Sequence, residues 1–142
     1  MYHNNGPGLI QDIAKAINGE YSAIQCYGYL AKIAATEEEK KVILEIRQDE
    51  LRHFQTFSQI YTTITGTKPS PGITEPCPRA FREGLEAALK DEQETVDFYL
   101  DIAEKAEDPY IKEHFKRAAA DEQNHAVWFL YYFTKLCCRK HG

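Results

Sequence analysis

The chain has 142 residues, a formal net charge of -5 and 43% hydrophobic residues. This size and balance fit one globular domain over 1–142, and the acidic charge argues against nucleic acid as a partner. The start of the chain is polar, with no apolar segment typical of a secretory signal. The longest apolar run, 126–133, is far shorter than the roughly 20 residues that span a bilayer. We therefore expect a cytoplasmic protein with no membrane partner.

Four helical segments are predicted in chain order. The helices are expected at 7–35, 36–64, 79–106 and 108–138, with a crossover at 65–78. Pro7 suits a first-turn position, and Thr36 with Glu39 forms a capping box at the second helix. Asp108 precedes Pro109 as the expected N-cap of the fourth helix. The segment between the second and third helices is rich in Gly, Pro, Ser and Thr, which excludes a helix there.

The lengths of the breaks predict how the helices connect. The first and third breaks are short, so the first and second helices form one hairpin and the third and fourth form another. The crossover reaches roughly 45 Å when extended, which is enough to run the length of helices of about 40 Å. The predicted fold is an all-α, ferritin-like four-helix bundle made of two hairpins joined by a long crossover.

The two hairpins repeat each other. When the sequence is shifted by 72 positions, many apolar residues align, which is typical of two copies of one helical hairpin. Ionisable and phenolic residues align as well: Glu20 with Glu92, Tyr27 with Tyr99, Asp49 with Asp121, Glu50 with Glu122, and His53 with His125.

The repeated ionisable residues predict a metal site. Each of the four glutamates is about fifteen residues from the turn of its own hairpin, so all four are expected at one level of the bundle, roughly 22 Å from the turns. Their neighbours at helical spacing are apolar, which places them on the core-facing side. Each histidine follows a glutamate by three positions and faces the same way. The predicted metal ligands are Glu20, Glu50, His53, Glu92, Glu122 and His125.

Buried glutamates at one level repel each other unless cations neutralise them. Two divalent cations would do so, with two glutamates bridging and one histidine binding each metal. Carboxylate and imidazole donors favour iron, with manganese or zinc as alternatives. The opposing interpretation is that these are solvated surface residues of a plain bundle, aligned only through duplication.

These residues make the chain resemble the ferritin-like superfamily and, within it, the rubrerythrin-like di-iron proteins, over about residues 9 to 136. Rubrerythrins also carry tyrosines one or two turns after the first ligand of each hairpin, as Tyr27 and Tyr99 stand here. The resemblance implies a di-iron centre that reacts with peroxide or dioxygen. The chain is also similar to small stand-alone members in spore-forming bacteria, some of them associated with the spore coat.

Two departures from the rubrerythrin pattern are visible. The chain has no rubredoxin domain, so electrons must come from an external donor. Rubrerythrins carry an extra glutamate three residues after the third-helix ligand, and Thr95 stands there. Glu94 is about 200° around the helix from Glu92 and is not expected to replace it. These departures put the redox-linked metal movement of rubrerythrin peroxidases in doubt.

The cysteines and the fourth helix leave alternatives open. None of Cys26, Cys77, Cys137 and Cys138 forms a C-x-x-C pair, which excludes a zinc ribbon. We expect reduced thiols, with intermolecular crosslinks through Cys77 or the terminal pair as the alternative. Near Trp128 the fourth helix is apolar nearly all round, which favours a homodimer contact, with a cofactor-binding surface as the alternative.

Two function hypotheses follow from the sequence. The first is an oxidoreductase that reduces peroxide or dioxygen at a Glu4His2 site, with Tyr27 and Tyr99 hydrogen-bonded to glutamates of the opposite hairpin. The second is a structural metal-binding protein, such as a component of a spore layer, without significant turnover. Iron storage is disfavoured because nothing in the sequence identifies a cage-forming surface.

Overall fold

The computed structural model describes residues 8–139, which form four α-helices. The helices are α1 (Leu9–Lys32), α2 (Glu37–Thr65), α3 (Phe81–Lys105) and α4 (Pro109–Arg139). Helix α1 packs along α2 and α3 packs along α4, and the two hairpins meet through α1 with α3 and α2 with α4. The predicted all-α four-helix bundle of two hairpins is confirmed.

Both predicted N-caps are present. Thr36 Oγ1 accepts a hydrogen bond from the Glu39 N–H at 3.1 Å. Asp108 Oδ1 accepts from the N–H groups of Tyr110, at 2.8 Å, and Ile111, at 3.2 Å. Because a cap residue lies outside the helix that it caps, α2 and α4 each begin one residue later than predicted.

Two other predicted boundaries differ from the structure by more than one residue. Helix α1 ends at Lys32, short of the predicted position 35, because the Ala34 N–H bonds to the Ala31 carbonyl and closes the turn early. Helix α3 begins at Phe81 and not at 79, because Ala80 is extended, with φ -94° and ψ 147°. The predicted start at Pro7 lies outside the described residues.

The apolar core is divided into two clusters, each with residues from all four helices. The Tyr99 cluster includes Ile13, Ile17, Phe57, Tyr99 and Phe115. The Tyr27 cluster includes Tyr27, Leu30, Ile43, Leu85 and Phe129. In α1, the first cluster precedes Glu20 and the second follows it, so a polar layer separates the two.

The crossover runs along one face of α1. Gly72 N–H donates to Asn18 Oδ1 at 3.1 Å, and Thr74 N–H donates to Ser22 Oγ at 2.9 Å. Further along, the hydroxyl of Tyr29 donates to the carbonyl of Arg79 at 2.7 Å. The contacted residues of α1 are four and then seven positions apart, so they form one stripe of the helix.

The expectation of reduced thiols is wrong for two of the four cysteines. Cys26 in α1 and Cys77 in the crossover form a disulfide, with their Cα atoms 5.2 Å apart. An intermolecular crosslink through Cys77 is therefore also wrong, since its sulfur is bonded within the chain. Cys26 lies one helical turn after Ser22, on the same stripe of α1 that the crossover follows, so the path of the crossover brings Cys77 to it. Cys137 and Cys138 are free thiols.

Within residues 8–139, no helix has the combination of length and apolarity that crossing a membrane requires.

Candidate metal centre

The six predicted ligands come together in the polar layer between the two apolar clusters. None of them is more than 7% exposed. They form two overlapping groups, and within each group one ligand atom per residue lies within 4.8 Å of the others. The groups are Glu20, Glu50, His53 and Glu122, and Glu50, Glu92, Glu122 and His125. Glu50 and Glu122 belong to both groups, so a cation held by either group would be bound by these two carboxylates.

The two histidines are oriented alike. His53 Nδ1 lies 3.2 Å from Glu20 Oε2 and 3.1 Å from Glu50 Oε1. His125 Nδ1 lies 2.8 Å from Glu92 Oε1 and 3.0 Å from Glu122 Oε2. In both rings Nδ1 therefore faces the carboxylates, which leaves Nε2 to face away from the centre.

Each Nε2 atom bonds to an aspartate of the other hairpin. His53 Nε2 donates to Asp121 Oδ2 at 2.8 Å, and His125 Nε2 donates to Asp49 Oδ2 at 2.7 Å. A carboxylate on the outer nitrogen fixes the proton there and frees the inner nitrogen to bind a metal. The aspartates thus select the ring tautomer that a metal centre requires.

Sequence reasoning missed the role of the two aspartates. They were aligned by the repeat, and that alignment was the available signal. Each immediately precedes a glutamate ligand, so on its own helix it lies to the side of the core-facing stripe. Only the packing of α2 against α4 shows that this side faces the opposite histidine.

The electrostatics of the cluster favour cations. Burial, together with repulsion from neighbouring glutamates, raises the pKa of Glu50, Glu92 and Glu122 well above the usual value. Burial alone would lower the pKa of His53, yet its hydrogen bonds to Asp121, Glu20 and Glu50 raise that pKa to about 12. Without metal, the centre therefore holds extra protons to limit its negative charge.

The donor set fits a pair of metal ions. Glu20 Oε1 is buried and accepts no hydrogen bond from any residue within 8–139. A buried oxygen without a donor costs free energy unless another partner satisfies it, and a cation in the group that contains Glu20 would do so. The centre thus has the composition, burial and vacant lone pairs expected of a dinuclear metal site.

The two predicted tyrosines differ. The Tyr99 hydroxyl donates to Glu20 Oε2, a glutamate of the opposite hairpin, as the sequence reasoning expected. The Tyr27 hydroxyl is buried, and within the described part of the chain it has no hydrogen-bond partner. Burial, followed by the charges of Glu92 and Glu50, raises the pKa of Tyr27 well above the usual value. Tyr27 therefore lies beside the centre but is not bonded to it.

Residues that the sequence analysis set aside lie outside the centre. Glu94 is exposed. The side chain of Thr95 donates to the backbone carbonyl of Asp91 at 2.7 Å and is not directed to the cluster. His114 is half-buried, with its ring 4.2 Å from the ring of Tyr110.

Comparisons with known proteins agree with this geometry. The family model for rubrerythrin matches residues 83–140, which include α4 and all but the first two residues of α3. The uncharacterised protein YhjR of Bacillus subtilis is 57% identical over 133 residues, covering 94% of this chain and 92% of its own length.

Two solved structures are also similar. A crystal structure described as ferritin-like, diiron-carboxylate proteins, from Bacillus anthracis, has a TM-score of 0.78 and 26% identity, covering 94% of this chain and 99% of its own. A hypothetical protein from Pyrococcus furiosus has a TM-score of 0.79 and 20% identity, covering 91% of this chain and 90% of its own. The second likeness concerns the fold alone.

Proposed function

Because the chain belongs to the rubrerythrin-like family of ferritin-like proteins, we propose that it is a di-iron oxidoreductase that reduces peroxide or dioxygen with electrons from a separate donor. The observation that supports this most directly is the pair of overlapping ligand groups that share Glu50 and Glu122. Carboxylate and imidazole donors without thiolate suit iron or manganese. When bound, the metal pair supplies Lewis-acid and electron-transfer chemistry.

The chain's own residues prepare the site for that chemistry. Asp49 and Asp121 hold the histidine rings in one tautomer, and Tyr99 holds Glu20 in place. The apolar clusters on both sides exclude bulk water, which strengthens every charge interaction within the layer. The ligands are thus oriented before any oxidant arrives.

The test is a stopped-flow experiment on anaerobic protein loaded with ferrous iron. Mixing with peroxide is expected to give a ferric absorption band within a single turnover. Glu92→Ala is expected to abolish the fast phase, and Glu94→Ala serves as the matched control because Glu94 is exposed on the same helix. A loaded wild type that stays colourless with both peroxide and dioxygen would refute the proposed reaction.

A second candidate is a structural metal-binding protein, such as a component of a spore layer. The disulfide that ties the crossover to α1 favours it, because a cross-link of this kind stabilises a fold independently of catalysis. In that case metal raises the melting temperature, but the ferrous protein stays unreactive in the stopped-flow experiment.

We also propose a homodimer formed through α4. Val127, Trp128, Leu130 and Tyr131 are each at least 38% exposed and adjoin one another on this helix. Sedimentation of wild type and of a Val127→Glu/Leu130→Glu variant tests this. The wild type is expected to sediment as a dimer and the variant as a monomer with the same metal content.

A further inference from the structure

A cavity of about 330 Å³ lies between α1, α3 and the crossover. Its lining includes Cys26 and Cys77, so the disulfide borders this space. Tyr27 also lines the cavity, together with small residues of α3 such as Gly84 and Ala88. The disulfide and Tyr27 therefore border the same cavity.

Tyr27 connects this cavity to the metal centre. Its hydroxyl is buried and lacks a hydrogen-bond partner within residues 8–139. Tyr27 belongs to the apolar cluster that adjoins the polar layer, and it follows the ligand Glu20 by seven residues, or roughly 10 Å along α1. Cys26 directly precedes Tyr27 and follows Glu20 by six residues, or roughly 9 Å along the helix axis.

The disulfide is open to exchange. Both cysteines are half-buried, and the preceding crossover residues, from Gly72 to Pro76, are exposed. The nearby hydrogen bonds that hold this segment to α1 come from exposed groups, Thr74 with Ser22 and Gly72 with Asn18. A thiol reagent can thus approach the bond from the crossover side, whereas the metal ligands remain enclosed.

We propose that Cys26 and Cys77 are a redox-active pair that delivers two electrons to the metal centre for each peroxide reduced there. This inference rests on the proposed function. In the step, the two thiols lose their protons and one sulfur–sulfur bond forms. The two electrons and two protons go to peroxide, whose oxygen–oxygen bond breaks to give two waters.

The cycle closes when an external dithiol reduces the disulfide by exchange and is itself oxidised to a disulfide. The external electron donor therefore acts at the surface of the crossover and not at the buried metals. This arrangement gives the buried metal centre a defined entry point for electrons.

The experiment counts peroxide and maps thiols. Protein is reduced with dithiothreitol, freed of reductant without air, loaded with ferrous iron and titrated with peroxide. Because the cysteine pair is a two-electron couple like the metal pair, wild type is expected to consume about twice as much peroxide as Cys26→Ser/Cys77→Ser. Cys137→Ser/Cys138→Ser is the matched control and is expected to behave as wild type.

Alkylation and mass spectrometry then report the state of each cysteine. In loaded wild type a single titration is expected to restore the Cys26–Cys77 bond, and in metal-free protein the same peroxide is expected to leave both thiols alkylatable. Thiols that survive while the iron is oxidised would overturn the proposal, as would equally fast oxidation without metal. Iron that is not oxidised at all would instead refute the proposed function.

The thiol map does not depend on the variant's fold. It is made on the wild-type chain, whose reduced form lacks the same cross-link as the serine variant. Iron content and helical circular dichroism of both proteins show whether they are comparable in the titration.

Discussion

Tyr27 and Tyr99 are equivalent in the repeat, yet their surroundings differ. The Tyr99 hydroxyl bonds to Glu20, and its ring packs edge-on against Phe57 at 5.3 Å and Phe115 at 5.4 Å. Tyr27 packs against Phe129 at 5.1 Å, the equivalent of Phe57, and its hydroxyl is unpartnered within 8–139. One tyrosine is enclosed by aromatic rings, and the other borders a cavity.

The cause of the difference is the connection between the hairpins. A single chain has one crossover, and it lies against α1, where Asn18, Ser22 and Cys26 contact it. The equivalent positions in α3 are Lys90, Glu94 and Phe98, which do not form a matching stripe of small polar side chains and a cysteine. Duplication thus explains the symmetric ligands, and the connection explains why one side of the centre differs from the other.

The largest expected effect tests the metal ligands, which are the part of the molecule that the two hairpins repeat. Glu92→Ala is expected to abolish binding of at least one metal ion, because Glu92 is buried within a ligand group. Glu94→Ala is expected to keep wild-type metal content and to change the free energy of unfolding by about 0.5 kcal/mol or less. Iron stoichiometry on both purified variants decides this, and loss of metal from the Glu94 variant alone would contradict the alignment of the two halves.

The next effect concerns pH. The pKa values of Glu50, Glu92 and Glu122 are raised in the folded protein, so the native state holds more protons than the unfolded state, whose glutamates titrate near about 4.3. Their contribution to stability is complete below that value and is lost as pH rises through the folded pKa values. The raised pKa of His53 likewise lowers the stability of the folded protein as the pH rises above about 6.5.

We therefore expect the melting temperature of metal-free protein to fall between about pH 5 and 8, and the gain on adding metal to grow over the same range. The lowered pKa values of Asp49 and Asp121, caused by hydrogen bonds from the histidines against an opposing effect of burial, act only below this range. Calorimetry at fixed salt measures both quantities. A metal-free protein that becomes steadily more stable up to pH 8 would refute this prediction.

Substitutions of Asp49 and Asp121 test whether the two hairpins contribute equally to metal binding. Asp49→Asn and Asp121→Asn are each expected to weaken metal binding by about 10–100-fold, because the histidine loses the carboxylate that fixes its tautomer. The exposed Asp97→Asn on α3 is the control and is expected to bind as wild type. Competition with a chelator of known affinity measures the change. An effect confined to one aspartate would show that only one histidine depends on its partner.

The smallest effect tests the asymmetric part directly. Tyr99→Phe is expected to destabilise the metal-free protein by about 1–2 kcal/mol, since Glu20 loses a buried donor. Tyr27→Phe removes a hydroxyl without a partner within 8–139 and is expected to be neutral or slightly stabilising. Denaturant unfolding measures the free energy of unfolding of the two variants. Equal losses in both would contradict the difference between the two tyrosines.

Much of the fold and the ligand set could be predicted from the sequence, because helical spacing and the repeat restrict where a side chain can face. The pattern that predicts Glu20 as core-facing depends only on neighbours within its own helix. The disulfide could not be predicted in this way, since it depends on the path of the crossover over α1. The role of Asp121 also depends on packing between helices, and Tyr27 differs from Tyr99 only through the crossover that the repeat lacks.

The two apolar clusters on either side of the polar layer are, in the metal-free protein, two small cores with a layer of mutually repelling carboxylates between them. We expect such cores to open with separate free energies, so that amide hydrogen exchange near Tyr27 and near Tyr99 reports different local stabilities. Ligands from all four helices meet in that layer. A bound metal pair would therefore cross-link the four helices. Neither end of the bundle could then open without releasing the metals, and the amides of both ends would exchange as one cooperative unit.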